Sequence, residues 1–144
     1  MSTEANKAVI KRINEEVFSK GNLAFVDEVI ATDYVYHGPG GRTVKGTAGF
    51  KELVTRFRAA FPDVRVTVEN MVAEGDYVAH RTSINGTHRG DYRGIAPTGK
   101  QVTSTSNILS RFAGGKEAEA WEEYDMLGVL QQLGVAPPMS QPGT

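Results

Sequence analysis

An indole and two carboxylates share one face of a candidate strand near the end of the chain. Residues 117–125 read Glu-Ala-Glu-Ala-Trp-Glu-Glu-Tyr-Asp. In an extended conformation Trp121, Glu123 and Asp125 point one way, and Glu122 and Tyr124 the other. A carboxylate walled by aromatic and apolar groups has its charged form disfavoured, so its pKa rises towards the range useful for proton transfer. The same composition also describes a solvated face partly covered by Trp121, and spacing alone leaves both readings open.

A second candidate is His37, which closes the aromatic run Asp33-Tyr34-Val35-Tyr36-His37 just before Gly38-Pro39-Gly40-Gly41. Its near-neutral imidazole suits proton relay or a hydrogen bond to an enolate; a surface histidine at a strand end is the alternative. Alternation over 77–87 puts Ala79, Arg81, Ser83 and Asn85 on one face and Val78, His80, Thr82 and Ile84 on the other. The Arg81 and Ser83 face is expected to line a pocket and the His80 face to meet a partner subunit. His88 opens a Gly- and Pro-bearing loop at 88–100, where it either touches substrate or holds the loop. Phe18 and Phe61, with Phe50 and Phe57, are expected as core or pocket wall, since aromatics at helical spacing usually pack.

The elements that must position these groups follow from periodicity. Apolar residues at Ala8, Val9, Ile10, Ile13, Val17 and Phe18 predict an amphipathic helix over 5–20, ended by Gly21-Asn22. A shorter helix is predicted over 23–31 and a third over 47–60, stopped at Phe61-Pro62 because the residue before proline is pushed out of the helical region. Residues 64–73, 77–87, 101–112 and 117–125 read as strands joined by turns at Glu74-Gly75-Asp76 and Gly114-Gly115. A short helix is predicted over 128–133. Helices first and hairpins after predict an α+β domain over 1–135, with a flexible tail at 136–144.

Bulk properties narrow the function. The 144 residues carry a formal net charge of -1, with 16 Lys and Arg against 17 Asp and Glu, which gives no footprint for nucleic acid or an anionic membrane. The absence of cysteine removes disulfides, thiolate nucleophiles and cysteine zinc sites. Three scattered histidines give no metal-ligand cluster, so no metal is expected. A polar start without an apolar run predicts a cytoplasmic protein with no membrane span.

In order along the chain, Ala60-Phe61-Pro62-Asp63, Ala73-Glu74-Gly75-Asp76, Gly86-Thr87-His88, Gly94-Ile95-Ala96-Pro97-Thr98-Gly99-Lys100, Arg111-Phe112, Trp121-Glu122-Glu123-Tyr124-Asp125 and Gln131-Gln132-Leu133-Gly134 resemble the SnoaL-like polyketide cyclase family. The resemblance implies a cone-shaped α+β barrel, in which a curved antiparallel sheet and three N-terminal helices enclose an apolar pocket. It also implies a homodimer and a small hydrophobic or aromatic polyketide-like ligand. The founding cyclases close a ring by an intramolecular aldol reaction without metal or cofactor. Asp125 looks like the counterpart of their acid/base aspartate, with His37 as its companion and Trp121, Glu123, Arg81, Ser83, His88, Phe18 and Phe61 around the substrate. Epoxide hydrolysis would need a carboxylate where Ser83 stands, and steroid isomerisation one where His37 stands. A hydroxylase-type relative and a non-catalytic small-molecule-binding domain of the same fold remain as alternatives.

Overall fold

The computed structural model of the chain describes residues 2–137. The expected tail from residue 138 onward lies outside the described residues. In order come α1 (Thr3–Arg12), a π-helical continuation (Ile13–Ser19), a 3-10 turn (Leu23–Phe25), α2 (Val26–Val29), β1 (Ile30–His37), β2 (Thr43–Lys45), α3 (Gly46–Ala60), β3 (Arg65–Glu74), β4 (Tyr77–Thr87), β5 (Gln101–Ala113), β6 (Lys116–Tyr124) and α4 (Met126–Gln132).

Six strands form one curved, unclosed sheet in the order β2-β1-β6-β5-β4-β3. From β3 to β6 the chain is the antiparallel meander that the alternation predicted. The pair β1 and β6 runs parallel, which is possible because all of α3 to β5 serves as the crossover between them. The last strand is therefore central. The predicted second helix stops at Val29 because Ile30 already pairs with Glu117 in the sheet.

Ser2 caps α1 by accepting from the Ala5 amide at 3.1 Å. One end of the core gathers Ile13, Val17, Val26, Ile30 and Val54 around Phe50, whose ring meets Phe18 at 5.8 Å and Tyr34 at 5.3 Å. The other end packs Phe61, Val64 and Val102 against Val129 and Leu133 at α4. Between these two apolar ends the space is not filled.

The 88–100 loop is tied back to the end of α3. The amides of Arg89 and Gly90 both donate to the Ala60 carbonyl, at 2.9 and 3.2 Å. A Cβ on Gly90 would stand 2.1 Å from the Ala59 carbonyl oxygen. That atom is helix backbone and cannot turn aside. Gly90→Ala is therefore expected to lower unfolding stability by roughly 1–3 kcal/mol in a denaturant titration, as overpacking does. An unchanged midpoint would mean that the loop does not dock on this helix in solution.

Candidate active site

Helices and sheet enclose a cavity of about 790 Å³, within the range of small-molecule sites. Phe18, Phe50, Phe57 and Phe61 form its apolar wall. The π-helical turn widens α1 where Ile13, Asn14 and Phe18 reach this space, a common place for such widening. The sheet supplies the polar groups.

From β6, Ala120, Glu122 and Tyr124 face the cavity. Register explains the choice: Glu122 lies opposite Ile108 and Tyr124 opposite Ser106, all on the inner face. The Tyr36 hydroxyl of β1 donates to Oε1 of Glu122, and the Ser106 hydroxyl of β5 donates to Oε2. Glu122 thus stands as a carboxylate acceptor gripped from both sides. Burial, and then the Glu122 charge, hold the Tyr36 phenol well above its ordinary pKa.

Glu117 joins Glu122 on the inner wall although five positions separate them, which simple alternation forbids. The pairing of β5 with β6 shifts here: Arg111 opposes Glu119 while Phe112 opposes Glu117, leaving Ala118 as an extra residue. A bulge of this kind reverses the parity of the strand. Burial pushes the Glu117 carboxyl up to about 8, opposed by a hydrogen bond from Tyr34 and reinforced by the Glu122 charge. It is a neutral acid at pH 7.

His80 of β4 is also buried on the inner face, with Nε2 3.0 Å from the Ser110 hydroxyl and Nδ1 without a protein partner. Burial lowers it to about 4, so the imidazole is neutral. Further along the cavity wall the Tyr124 hydroxyl lies 3.0 Å from that of Tyr92 and accepts from Arg93 Nη2 at 2.9 Å.

The structure separates the residues that the sequence grouped. Phe18 and Phe61 are on the cavity wall. Asp125 is not: β6 ends at Tyr124, and exposed Asp125 caps α4, its Oδ1 accepting from the Gly128 amide at 2.9 Å. Trp121 and Glu123 lie on the outer sheet face, paired with Leu109 and Asn107. His37 is also outside, stacked on Trp121 at 5.3 Å and donating from Nε2 to Glu119 Oε2 at 2.7 Å. Arg81 and Ser83 share that outer face, Ser83 donating to Glu69 Oε1 at 2.6 Å. The expected convergence of Asp125, His37 and Trp121 in one cavity is thus corrected, and so is the expected assignment of the two β4 faces.

His88 is fully buried within its own loop, Nδ1 accepting from the Thr98 amide at 3.2 Å and its backbone amide donating to the Lys100 carbonyl at 2.9 Å. It holds the loop and does not line the cavity. Among the described residues no cluster of His, Asp and Glu could hold a metal, and no helix is long and apolar enough to cross a membrane.

Sequence reasoning missed Tyr36, His80, Glu117 and Glu122. The alternation of each strand was visible, but the inner face of β6 carries Ala120, Glu122 and Tyr124 while the outer face carries Glu119, Trp121 and Glu123. With polar residues on both faces, hydrophobicity does not say which one turns inward. The bulge at Ala118 left no signal at all.

A deep cavity between helices and a curved sheet, walled by aromatic rings and holding the Glu117 and Glu122 carboxyl groups, marks the α+β class to which the chain belongs. The model of the SnoaL-like polyketide cyclase family matches residues 8–133, and the chain belongs to that family. No curated protein matches it. It is similar to the structure of IdmH from Streptomyces antibioticus, named as a candidate polyketide cyclase, with 33% identity, TM-score 0.79 and coverage of 90% of this chain and 99% of that one. A candidate polyketide cyclase from Acidithiobacillus ferrooxidans shares 35% identity, with TM-score 0.80 and coverage of 94% and 99%. AclR from Streptomyces galilaeus, named as a candidate hydroxylase, shares 28% identity, with TM-score 0.84 and coverage of 97% and 87%.

Proposed function

We propose that the protein is a cofactor-independent acid/base enzyme of the cyclase type, with Glu122 as its base. The observation that carries this reading is the Glu122 carboxylate on the cavity wall, both oxygens fixed by the hydroxyls of Tyr36 and Ser106. A carbon flanked by two carbonyls gives its proton to Glu122, leaving an enolate. The enolate carbon attacks a second carbonyl of the same molecule, forming the new carbon–carbon bond and an alkoxide. Glu122 returns the proton to that alkoxide, so the site ends as it began. Neutral Glu117 supplies a hydrogen bond to the developing oxyanion from the buried inner wall. The test is ring closure of a polycyclic β-keto ester bearing a pendant carbonyl, wild type against Glu122→Gln. Equal rates would remove Glu122 from the mechanism.

A homodimer through the outer sheet face belongs to the same reading. Cross-strand register lines up Val72, Ala79, Leu109, Trp121 and His37 in one row across five strands. Val72, Leu109 and Trp121 are 69%, 40% and 37% exposed, an apolar stripe that favours burial. A twofold axis along β5 through Leu109 would set Trp121 over the partner's Ala79 and Arg81 over the partner's Glu123. Both contacts are complementary, and each occurs twice. Trp121→Glu is expected to convert a dimer to a monomer in sedimentation; a monomeric wild type would refute the dimer.

A further inference from the structure

The helices give the cavity an apolar wall with one interruption. Ile10, Ile13, Phe18, Phe50, Leu53 and Phe57 line it, and among them stands Asn14. Asn14 is 6% exposed. Among the described residues it is the one buried polar side chain that a helix brings to this space, since Arg56 on the same wall is exposed. It lies four positions after Ile10 and three before Val17, within the buried stripe of an amphipathic helix. A leucine would fill that stripe with no polar group to bury.

The two ends of its amide have different fates. Nδ2 donates to the Ile10 carbonyl at 3.0 Å, one turn back along the helix. That bond fixes the orientation of the amide, because the reversed side chain would set one carbonyl oxygen against another. Oδ1 is therefore the free end, and it accepts from no donor among the described residues. Three side-chain atoms there are sealed from solvent without a partner: Asn6 Oδ1, His80 Nδ1 and His88 Nε2. Asn14 Oδ1 is not one of them. It keeps open surface, and the space that Asn14 lines is the cavity.

The backbone adds a second observation. Asn14 is the second residue of the π-helical stretch Ile13–Ser19, and such stretches are rare and gather at functional sites. The bond to Ile10 explains Nδ2 as a brace where one helical geometry gives way to the other. It does not explain Oδ1. A brace needs only a donor, and the wall around it needs only an apolar side chain.

We propose that Asn14 sets ligand specificity, and that the ligand of this cavity carries a free hydroxyl that donates to its Oδ1. The ligand is then a neutral polycyclic ketone with an alcohol or a phenol on the edge that meets the first helix. Its opposite edge turns to the sheet, where Glu122 stands. An ether or a plain C–H at the Asn14 position would cover Oδ1 without supplying a donor, and a buried acceptor left unpaired costs affinity. Donor and acceptor are both neutral, so this discrimination is independent of salt. The proposal rests on the reading of the cavity as a small-molecule site and names the chemistry of what fills it.

Calorimetry with a matched pair tests it: 2-(hydroxymethyl)anthraquinone and its methyl ether, titrated into the full chain. Both compounds are neutral and both can accept a hydrogen bond, but only the alcohol donates one. The alcohol is expected to bind about tenfold tighter, at low and high salt alike. Asn14→Leu keeps the size of the side chain and should abolish the preference, weakening the alcohol and leaving the ether as tight as before or tighter. In wild type, the NMR signals of the Asn14 side-chain amide should move more with the alcohol than with the ether, a comparison that needs no variant to fold. Equal or tighter binding of the ether by wild type overturns the proposal and leaves the cavity reading intact. So does a preference that persists in folded Asn14→Leu, or an amide that answers both compounds alike. Failure of wild type to bind either compound removes both the proposal and the reading beneath it.

Discussion

Glu122→Gln is expected to slow ring closure by about 10²–10⁴-fold, the range for loss of a positioned general base. The amide keeps the size of the carboxylate, its oxygen accepting from one of the two hydroxyls and its NH2 donating to the oxygen of the other, so the cavity and its ligand affinity should survive. The loss therefore belongs in turnover, with KM nearly unchanged, as expected when an interaction acts in the transition state alone. Asp125→Asn provides the contrast. Its side chain caps α4 at the Gly128 amide and faces solvent. Asparagine caps about as well as aspartate, so both turnover and stability should stay near wild type. The reverse pattern, an inert Glu122→Gln and a dead Asp125→Asn, would return the acid/base role to Asp125 and require α4 to reorganise around substrate.

The second large effect is on stability. Glu117 holds its proton in the fold up to about 8, whereas the unfolded chain releases it near the ordinary value of 4.5. Between those two values the folded state binds more protons, so stability falls as pH rises, by at most about 1.4 kcal/mol per pH unit. His80 acts in the opposite direction. Its folded value of about 4 lies below the ordinary 6.5, so its contribution is lost as pH falls through that window. From 4.5 to 6.5 the two slopes oppose one another, and above 6.5 the Glu117 slope stands alone. At the acid end, Asp63, pulled down by its bonds from Thr87, and Glu119, pulled down first by His37, lose their contributions as they protonate.

The thermal midpoint of wild type should thus hold in mildly acidic solution and decline between about pH 6.5 and 8. Glu117→Gln accepts the same bond from Tyr34 without a charge to bury. Its decline should disappear, leaving the variant more stable than wild type at pH 8 by on the order of a few kcal/mol. Circular dichroism melts across this range provide the measurement. A wild-type midpoint that stays level from 6.5 to 8 would place Glu117 in a wetter setting than the fold shows.

What the sequence by itself determined is the set of elements and the family. Helical spacing over the first sixty residues, the stop at Phe61-Pro62 and the glycine turns at Gly75 and Gly114-Gly115 are local effects, and each appears in the structure near its expected place. The cavity wall was also half legible, because Phe18 and Phe61 sit where apolar spacing put them. The sign of each strand was not. Whether Asp125 or Glu122 faces the cavity depends on which side of a central strand the helices cover, and that choice is made by residues from β1, β4, β5 and α3 together. In β6 Glu122 lines the inside while Trp121 faces out, so the usual rule of apolar inside gives the wrong answer locally. The bulge at Ala118 then brings Glu117 to the same side as Glu122, a shift of register between two strands that neither strand encodes alone. Burial, and with it the proton on Glu117, follows from that placement. Local physics chose the elements; only their packing decided which carboxylates share a cavity.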